Sequence, residues 1–304
     1  MMKIKGLVAA AFTPFHEDGK IDFSRIPALV DKLVTDGLTG VFVCGSNGEG
    51  PNMLREERMQ VAEAFLKEAK GRLLTIVHVG HSCIAESKLL AAHAQSIGAD
   101  AISSVAAFYF KPSNVENLAN CMAEIASGAP ELPFYYYHIP HISGIALDMV
   151  EFLKVAGDKI PNLAGIKYTA NSINEFQSCL NFENGRFDML WGFDELLLPA
   201  LAIGAKGAVG STYTFAAPLY LKTMELFKNG EVEAAKKNHD LLVEMIRIFV
   251  KYPPIPAQKA IMKMTGYDSG PARLPLVTLN EQQYNDLEKS LTNIGFLDVI
   301  TKKS

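Results

Sequence analysis

The sequence predicts an α/β fold, a (β/α)₈ TIM barrel with a C-terminal helical extension. Short apolar stretches alternate with helix-like stretches along most of the 304 residues, and eight such pairs can be counted. The apolar stretches lack alternating polar residues, as expected for parallel strands buried on both faces. A doubly wound open sheet is the competing architecture, but it would carry a phosphate-binding fingerprint after its first strand, and the sequence has none there.

The elements follow from local signals in chain order. The strands are apolar stretches, predicted at 6–12, 40–44, 74–79, 101–105, 134–137, 163–169, 187–191 and 207–210. The helices between them begin at caps such as Asp22 and end at glycines such as Gly37 and Gly98; they are predicted at 22–35, 55–70, 85–97, 115–127, 149–156, 173–180 and from 194 onwards. Only helices are predicted after about residue 215, at 219–227, 231–250, 257–264 and 281–293. We therefore predict a catalytic barrel of residues 1–225 and an extension of residues 226–304.

Composition limits the function classes. The net charge of -4 and the absence of a basic stripe argue against nucleic acid as a partner. The four cysteines are far apart in the sequence and show neither metal nor disulfide spacing, which suits a reducing compartment. The sequence offers no apolar run of membrane-spanning length, and the short run before Thr13-Pro14 does not fit a signal peptide. We expect a cytoplasmic protein that acts on a small molecule.

The stretch 163–169 carries the most specific chemical signal. It is an apolar run that ends in Lys167, Tyr168 and Thr169, and it is predicted to be a buried strand that emerges into a loop. Loss of water around an ammonium lowers its pKa from about 10.4 towards neutrality, and a neutral amine can form a Schiff base with a carbonyl. A lysine that only reaches past the strand end to solvent is the alternative interpretation.

Polar residues at the ends of the other predicted strands favour the chemical interpretation. In a (β/α)₈ barrel the C-terminal strand ends meet at one mouth, where active sites lie. The residues predicted there are Ser46, Asn47, Tyr137, Lys167, Thr169, Gly192, Asp194, Glu195, Gly210, Ser211 and Thr212. One amine, one phenol, several hydroxyls and two carboxylates suit a carbonyl substrate with a carboxylate and many hydroxyl groups. Lys206, the rival amine, precedes the last strand and is expected at the opposite end of the barrel.

Each of these residues also has a purely structural interpretation. The glycine-rich residues 45–50 could form a simple turn, although the backbone N–H groups of such a turn could also bind an anion. Tyr137 could be a core aromatic; by strand parity it shares a face with Tyr135. Asp194 and Glu195 could merely start a helix, where acidic residues are favoured by the helix dipole.

The histidines suggest a competing metal site. The pairs His78/His81 and His138/His141 both stand at strand ends, and zinc-dependent aldolases on barrels exist. Residues three apart on a strand point to opposite faces, however, and the sequence has no carboxylate close to either pair. We therefore predict no metal.

The motifs resemble those of class I aldolases of the N-acetylneuraminate lyase and dihydrodipicolinate synthase family over nearly the whole chain. Residues 45–49 are similar to the family's G-[ST]-T-G-E, residues 137–140 to Y-N-[IV]-P, and residues 165–167 carry the Schiff-base lysine position. The resemblance implies that Lys167 forms the Schiff base, that Tyr137 relays protons, and that Ser46 and Asn47 bind the substrate carboxylate. It also implies that the reaction needs no cofactor.

Other motifs resemble the lyase branch of that family. Residues 192–195 are similar to the lyase G-x-D-E, which implies that Asp194 and Glu195 bind sugar hydroxyls, and residues 210–213 are similar to G-S-T-Y. Ile142 stands where the synthases carry an arginine. The implied reaction is retro-aldol cleavage of N-acetylneuraminate to pyruvate and N-acetylmannosamine; a synthase or another 2-keto-3-deoxy acid aldolase is the alternative.

Three positions bear on how far the resemblance extends. Asn47 replaces the family's threonine and His138 its asparagine, so a weakly catalytic protein that binds a sugar or pyruvate is a further alternative. Tyr109 matches a tyrosine that reaches into the neighbouring subunit's site, which implies a close dimer and, most simply, a homotetramer built as a dimer of dimers.

Overall fold

A closed barrel of eight parallel strands forms the centre of the computed structural model, which describes residues 3–301. The strands are β1 Gly6–Ala10, β2 Gly40–Val43, β3 Leu74–His78, β4 Ala101–Val105, β5 Phe134–His138, β6 Leu163–Tyr168, β7 Asp188–Trp191 and β8 Gly207–Gly210. Each strand pairs with the next along the chain, and β8 pairs with β1 to close the barrel. The predicted fold class is therefore confirmed.

Helices cover the outside of the barrel and continue beyond it. They are α1 Ile26–Thr35, α2 Arg55–Ala69, α3 Ile84–Ser96, α4 Val115–Ala126, α5 Pro140–Ser143, α6 Met149–Lys159, α7 Ile173–Asn181, α8 Leu197–Ala202, α9 Tyr213–Lys228, α10 Val232–Phe249, α11 Pro254–Met264, α12 Glu281–Asn293 and α13 Phe296–Thr301. Within residues 3–301, none of them has the length and apolar character that crossing a membrane would require. The predicted boundary at residue 225 between the barrel and the helical extension stays a prediction. Residues 1–2 of the predicted barrel and residues 302–304 of the predicted extension lie outside the described part.

The helix after β8 was predicted to start too late. It begins at Tyr213 rather than at 219, and Pro218 lies inside it with its ring exposed. A proline lowers the helix propensity of the preceding turn, but here Tyr213 and Phe215 are fully buried, and this packing outweighs the local preference. The short helices α5 and α13 were not predicted, because four and six residues are too few to show a helical period.

Side chains on β5 alternate between two hydrophobic layers. Tyr135 and Tyr137 point into the barrel and belong to its interior cluster, which confirms that they share a face. Tyr136 belongs to the layer between barrel and helices, where its ring lies 4.8 Å from that of Phe152. The Tyr135 hydroxyl donates to the Asp188 carboxylate at 2.9 Å, which leaves Tyr137 as the β5 tyrosine at the mouth.

A buried ion pair ties the helical extension to the turn after β2. Lys259 Nζ on α11 lies 2.7 Å from Glu49 Oε1, and both side chains are almost fully buried. The contact is an ion pair without the alignment of a hydrogen bond, but Lys259 also donates to the carbonyl oxygens of Thr13 and Pro271 at 3.0 and 2.8 Å. The Arg273 N–H donates to Glu49 Oε2 at 2.8 Å. The extension thereby fixes one side of the barrel mouth.

We expect the substitution Lys259→Met to lower the free energy of unfolding by roughly 3–5 kcal/mol, because it leaves the Glu49 carboxylate buried without its partner. The matched control is Lys263→Met on the same helix, where the side chain is 60% exposed and lies 4.0 Å from Asp268. That change should cost less than about 1 kcal/mol. Urea denaturation of both variants measures the difference, and equal losses would contradict a special role for the buried pair.

Candidate active site

Lys167 lies near the C-terminal end of β6 with its side chain inside the barrel mouth. The residue is only 3% exposed. Its Nζ lies 3.8 Å from the centre of the Tyr137 ring and 3.9 Å from that of Phe42. Aromatic carbon therefore replaces much of the water that would surround an exposed ammonium.

Burial lowers the pKa of Lys167 from its usual 10.5 to about 7, while the nearby charge of Asp194 acts in the opposite direction. A substantial fraction of the amine is then neutral near pH 7. Because only the neutral amine has a lone pair to attack a carbonyl, this environment suits Lys167 to act as a nucleophile. The alternative interpretation, in which Lys167 reaches past the strand end to solvent, is wrong, since its side chain is buried.

Two other lysines illustrate how specific this environment is. Lys206, the rival amine, is exposed, and its carbonyl oxygen accepts from Gly6 N–H at the opposite end of the barrel, as the sequence predicts. Lys259 is as buried as Lys167, but it faces the Glu49 carboxylate rather than two aromatic rings. The amine that combines burial with a position at the barrel mouth is Lys167.

Tyr137 stands directly beside Lys167, because the two residues are register partners on β5 and β6. Its side chain is buried, and burial raises the pKa of Tyr137 to about 12; the nearby hydroxyls of Ser46 and Thr169 partly oppose this rise. The phenol is therefore protonated at neutral pH. Tyr137 can therefore relay a proton only by donating its phenolic proton while it accepts a second proton from another group.

A tight turn after β2 presents Ser46 and Asn47 to the mouth. The backbone of Cys44 and of Glu49 is left-handed, with φ of 59° and 55°, an uncommon conformation for residues other than glycine. Gly50 is required for close packing, because an added Cβ would lie 1.9 Å from the Cys44 carbonyl oxygen. The ion pair of Glu49 described above holds the far side of this turn.

The residues predicted for the site, apart from Tyr109, line one cavity of about 420 Å³ at the C-terminal ends of the strands. Those lining it are Ser46, Asn47, Tyr137, Lys167, Thr169, Gly192, Asp194, Glu195, Gly210, Ser211 and Thr212. A cavity of this size suits a small organic ligand. The structure thus brings together residues that are more than 160 positions apart in the chain.

Asp194 and Glu195 occupy different environments in this cavity. Asp194 is buried, and its Oδ2 accepts from the Thr212 N–H at 2.9 Å and from the Thr212 hydroxyl at 2.6 Å, while Oδ1 has no partner among the described residues. Glu195 is only partly buried. Burial raises the pKa of both carboxyl groups. Both residues also start a short 3₁₀ turn, Asp194–Leu196, so the structural and the ligand-binding interpretations are compatible.

Two glycines leave room for the polar groups of the cavity. A Cβ on Gly192 would lie 2.0 Å from the Thr169 hydroxyl, and one on Gly210 would lie 1.9 Å from Asp194 Oδ1. Larger residues at either position would displace these side chains. The glycines that the sequence placed at the strand ends therefore serve close packing around Thr169 and Asp194.

The extension supplies one wall of the cavity, which sequence analysis missed. Ile246 and Phe249 of α10, Pro256 and Gln258 of α11, and Leu276 all line it. These residues lie far from the motifs in sequence, and their apolar character is that of ordinary helix-packing residues. The one unusual signal is Gln258, an amide that is buried to 3% exposure.

Tyr109 is absent from this cavity in the single chain. It follows β4 in a loop where Phe108, Tyr109 and Phe110 are 37%, 77% and 85% exposed. The Tyr109 and Phe110 rings pack edge to face with centres 5.0 Å apart. The predicted role of Tyr109 in a neighbouring subunit's site stays a prediction.

The histidine pairs do not form a chelating site. Both ring nitrogens of His78 are engaged by backbone, Nδ1 with the Cys44 carbonyl oxygen at 3.1 Å and Nε2 with the Val105 N–H at 3.2 Å. His141 lines the cavity, whereas His138 lies outside the barrel against the Tyr168 ring, 5.1 Å away between centres. Across residues 3–301, three or more histidine, cysteine or acidic residues nowhere gather closely enough to hold a metal ion.

A buried amine beside a phenol at the mouth of a closed barrel suits the Schiff-base chemistry of a class I aldolase, a kind of lyase. The chain belongs to the dihydrodipicolinate synthetase family, whose sequence model matches residues 3–294. The predicted resemblance is therefore confirmed.

The similar proteins within this family include lyases. The chain is 40% identical to a Sus scrofa protein named N-acetylneuraminate lyase, over 98% of this chain and 96% of that one. It superposes on a Proteus mirabilis N-acetylneuraminate lyase with a TM-score of 0.94 and 39% identity, covering 97% of this chain and 100% of the other. A Bacillus anthracis dihydrodipicolinate synthase gives a TM-score of 0.90 and 30% identity, covering 96% and 99%.

The lowered pKa of Lys167 predicts how imine formation depends on pH. With pyruvate and a borohydride reductant, the trapping rate should rise about tenfold per pH unit below 7 and level off above it, because the neutral fraction of an amine of pKa about 7 saturates there. Lys167→Met should show no trapping. A rate that continues to rise towards pH 10 would indicate an ordinary lysine and contradict the assignment.

Proposed function

We propose that the chain is a class I aldolase that cleaves N-acetylneuraminate to pyruvate and N-acetylmannosamine. The observation that carries the proposal is the buried Lys167, with its pKa lowered to about 7, next to Tyr137 in a cavity of about 420 Å³. The similarity to proteins named N-acetylneuraminate lyase, over nearly the full length of both chains, supports the choice of substrate.

The first step is attack of the neutral Lys167 amine on the C2 ketone of the open-chain sugar acid. Loss of water from the adduct gives an iminium ion between Nζ and C2. The substrate carboxylate next to this carbon would accept hydrogen bonds from the Ser46 hydroxyl and the Asn47 amide, which line the same cavity. Asn47 can fill this role, because its amide donates hydrogen bonds as the hydroxyl of threonine does.

The second step breaks the C3–C4 bond. Its electron pair moves into the iminium group to give an enamine, while the C4 hydroxyl loses its proton and becomes the aldehyde of N-acetylmannosamine. Because Tyr137 is a phenol with a pKa of about 12, we assign it a relay role: it receives the C4 proton as it passes its own to the substrate carboxylate. Protonation of C3 and hydrolysis then release pyruvate and restore Lys167. The iminium nitrogen is the electron sink, so no cofactor is required.

The sugar end of the substrate would face the opposite polar groups of the cavity. Glu195 and the unpartnered Oδ1 of Asp194 accept hydrogen bonds, and Ser211 can both donate and accept them. Gly192 and Gly210 leave room on this side of the cavity for the side chains of Thr169 and Asp194. Such a set suits the hydroxyl groups of a polyol.

The synthase alternative is less well supported. Ile142 lines the cavity at the position where the resemblance places the arginine that holds a second carboxylate. An aliphatic side chain that is 62% exposed offers no positive charge for that purpose. A monocarboxylate with a hydroxylated tail fits the lining better than a dicarboxylate.

A pyruvate-release assay tests the proposal. The wild type should release pyruvate from N-acetylneuraminate faster than from other 2-keto-3-deoxy acids. Tyr137→Phe should lower kcat by about 10²- to 10⁴-fold, the usual loss of a positioned acid–base group, while still forming the pyruvate imine. Tyr136→Phe is the matched control on the same strand, since its hydroxyl lies in the outer layer and has no hydrogen-bond partner in the part of the chain that the structure describes.

Each contrary outcome of the assay identifies a different alternative. Faster cleavage of another 2-keto-3-deoxy acid would make that acid the substrate. Imine formation without release of pyruvate from any acid would indicate a binding protein. Equal losses in the Tyr136 and Tyr137 variants would remove the proton relay.

We further propose that the enzyme is a homotetramer, a dimer of dimers, which works in the cytoplasm. The exposed aromatic loop at 108–110 supports an interface, because three consecutive exposed aromatic side chains form a contiguous apolar patch, and large patches of this kind often mark interaction sites. The four unpaired cysteines suit a reducing compartment. In the close dimer, Tyr109 would lie near Tyr137 of the other subunit and support its proton relay.

Tyr109→Phe should lower kcat and leave the oligomer intact, because the change removes only the hydroxyl. Tyr267→Phe is the matched control, a tyrosine that is 37% exposed and does not line the cavity. Kinetics and sedimentation of both variants check this. A wild type that sediments as a fully active monomer would overturn the proposed interface.

A further inference from the structure

The extension contributes one polar side chain to an otherwise apolar wall of the cavity. Gln258 of α11 lines the cavity together with Ile246, Phe249 and Pro256. It is only 3% exposed, so most of its amide is removed from water. An apolar residue would match these neighbours better, because a buried amide is costly unless its polar atoms find hydrogen-bond partners.

The hydrogen bonding of Gln258 fixes which end of the amide is free. Its Nε2 donates to the Pro254 carbonyl oxygen, one turn earlier in α11, at 3.2 Å. Its Oε1 is buried and has no partner among the described residues. A buried acceptor without a donor costs free energy, so a group that supplies a donor gains affinity at this position.

One residue already assigned to the site shares this condition. Asp194 Oδ1 is also buried without a hydrogen-bond partner within residues 3–301, and Asp194 lines the same cavity. The unpaired polar atoms of Asp194 and Gln258 are thus contributed by two separate elements around one ligand-sized space. A bound ligand that satisfies them together explains their arrangement.

We propose that Gln258 is a specificity-determining residue that accepts a hydrogen bond from the sugar part of the substrate. The proposal rests on the proposed function and extends it. The pyruvate part carries a ketone and a carboxylate, which are acceptors, so it offers Oε1 no donor. The sugar part carries several O–H groups and one N–H in its acylamino group. A partner for Oε1 is therefore found on the sugar side of the bond that breaks.

This role distinguishes Gln258 from Lys167, Ser46 and Asn47. Those three act on the pyruvate part, and every substrate of this reaction type needs them. Gln258 should matter only for substrates whose tail supplies the donor. A site built to pair a hydroxyl or N–H rejects analogues that lack one, because its own polar atom is then left unpaired.

The test is Gln258→Met, which keeps the length of the side chain and removes both the Oε1 acceptor and the Nε2 donation to the Pro254 carbonyl oxygen. We expect kcat/KM for cleavage of N-acetylneuraminate to fall roughly tenfold, the effect of one lost hydrogen bond. The rate of pyruvate trapping by borohydride should stay within about twofold of the wild type. Tm should change little, because removal of the unpaired buried Oε1 offsets loss of the Nε2 donation to Pro254.

Two matched comparisons separate recognition from structure. Thr214→Val removes another buried, unpartnered hydroxyl that does not line the cavity, and it should leave kcat/KM unchanged. In the condensation direction, Gln258→Met should lose activity with N-acetylmannosamine but not with glyceraldehyde, which lacks the long tail. Equal losses with both aldehydes, a parallel loss of pyruvate trapping, or an unchanged kcat/KM would overturn the proposal.

These outcomes are separate from failure of the proposed function. If the wild type cleaves a different 2-keto-3-deoxy acid, the assignment of N-acetylneuraminate is wrong. The effect of Gln258→Met on kcat/KM for that acid, compared with its effect on the rate of pyruvate trapping, then decides whether Gln258 recognises the tail. If the wild type cleaves no such acid, both proposals are wrong.

Discussion

The proposed chemistry of this protein depends on keeping one amine out of water. Lys167 is placed by β6 inside the barrel mouth, between the rings of Phe42 and Tyr137, and this burial lowers its pKa to about 7. Burying an ammonium is costly, and the fold tolerates it because the group can lose its proton. Lys259 is equally buried, and burial lowers its pKa as well, but a carboxylate 2.7 Å away opposes that shift. One fold therefore holds two buried lysines, one in an ion pair away from the cavity and one at the barrel mouth, where we propose that it is the nucleophile.

The helical extension is part of the site rather than an appendage. Its Lys259 and Arg273 hold Glu49 at the back of the glycine-rich turn, while Gln258, one residue before Lys259, faces the cavity. The same stretch of α11 thus stabilises the turn that presents Ser46 and Asn47 and contributes to the cavity wall. Loss of the extension would open the cavity and leave the turn without its ion pair.

Much of the fold and of the site could be predicted from the sequence because both depend on local patterns. Eight buried strands and the rule that their C-terminal ends meet are enough to predict that Lys167, Tyr137 and Asp194 lie together. The start of α9 could not be predicted, since burial of Tyr213 and Phe215 outweighs the effect of Pro218. The Glu49–Lys259 pair and the position of Gln258 in the cavity wall could not be predicted either. The pair joins segments about 210 residues apart, and no local sequence signal shows which buried polar groups will meet.

Locating the pyruvate adduct tests the central claim most directly. The protein would be treated with pyruvate and borohydride, digested, and its peptides analysed by mass spectrometry. The account predicts that the added mass lies on Lys167 alone and disappears in Lys167→Met, while Lys259 and Lys206 stay unmodified. An adduct on Lys206 or Lys259, or an undiminished adduct in the Lys167 variant, would contradict the claim that burial at the barrel mouth makes Lys167 the nucleophile.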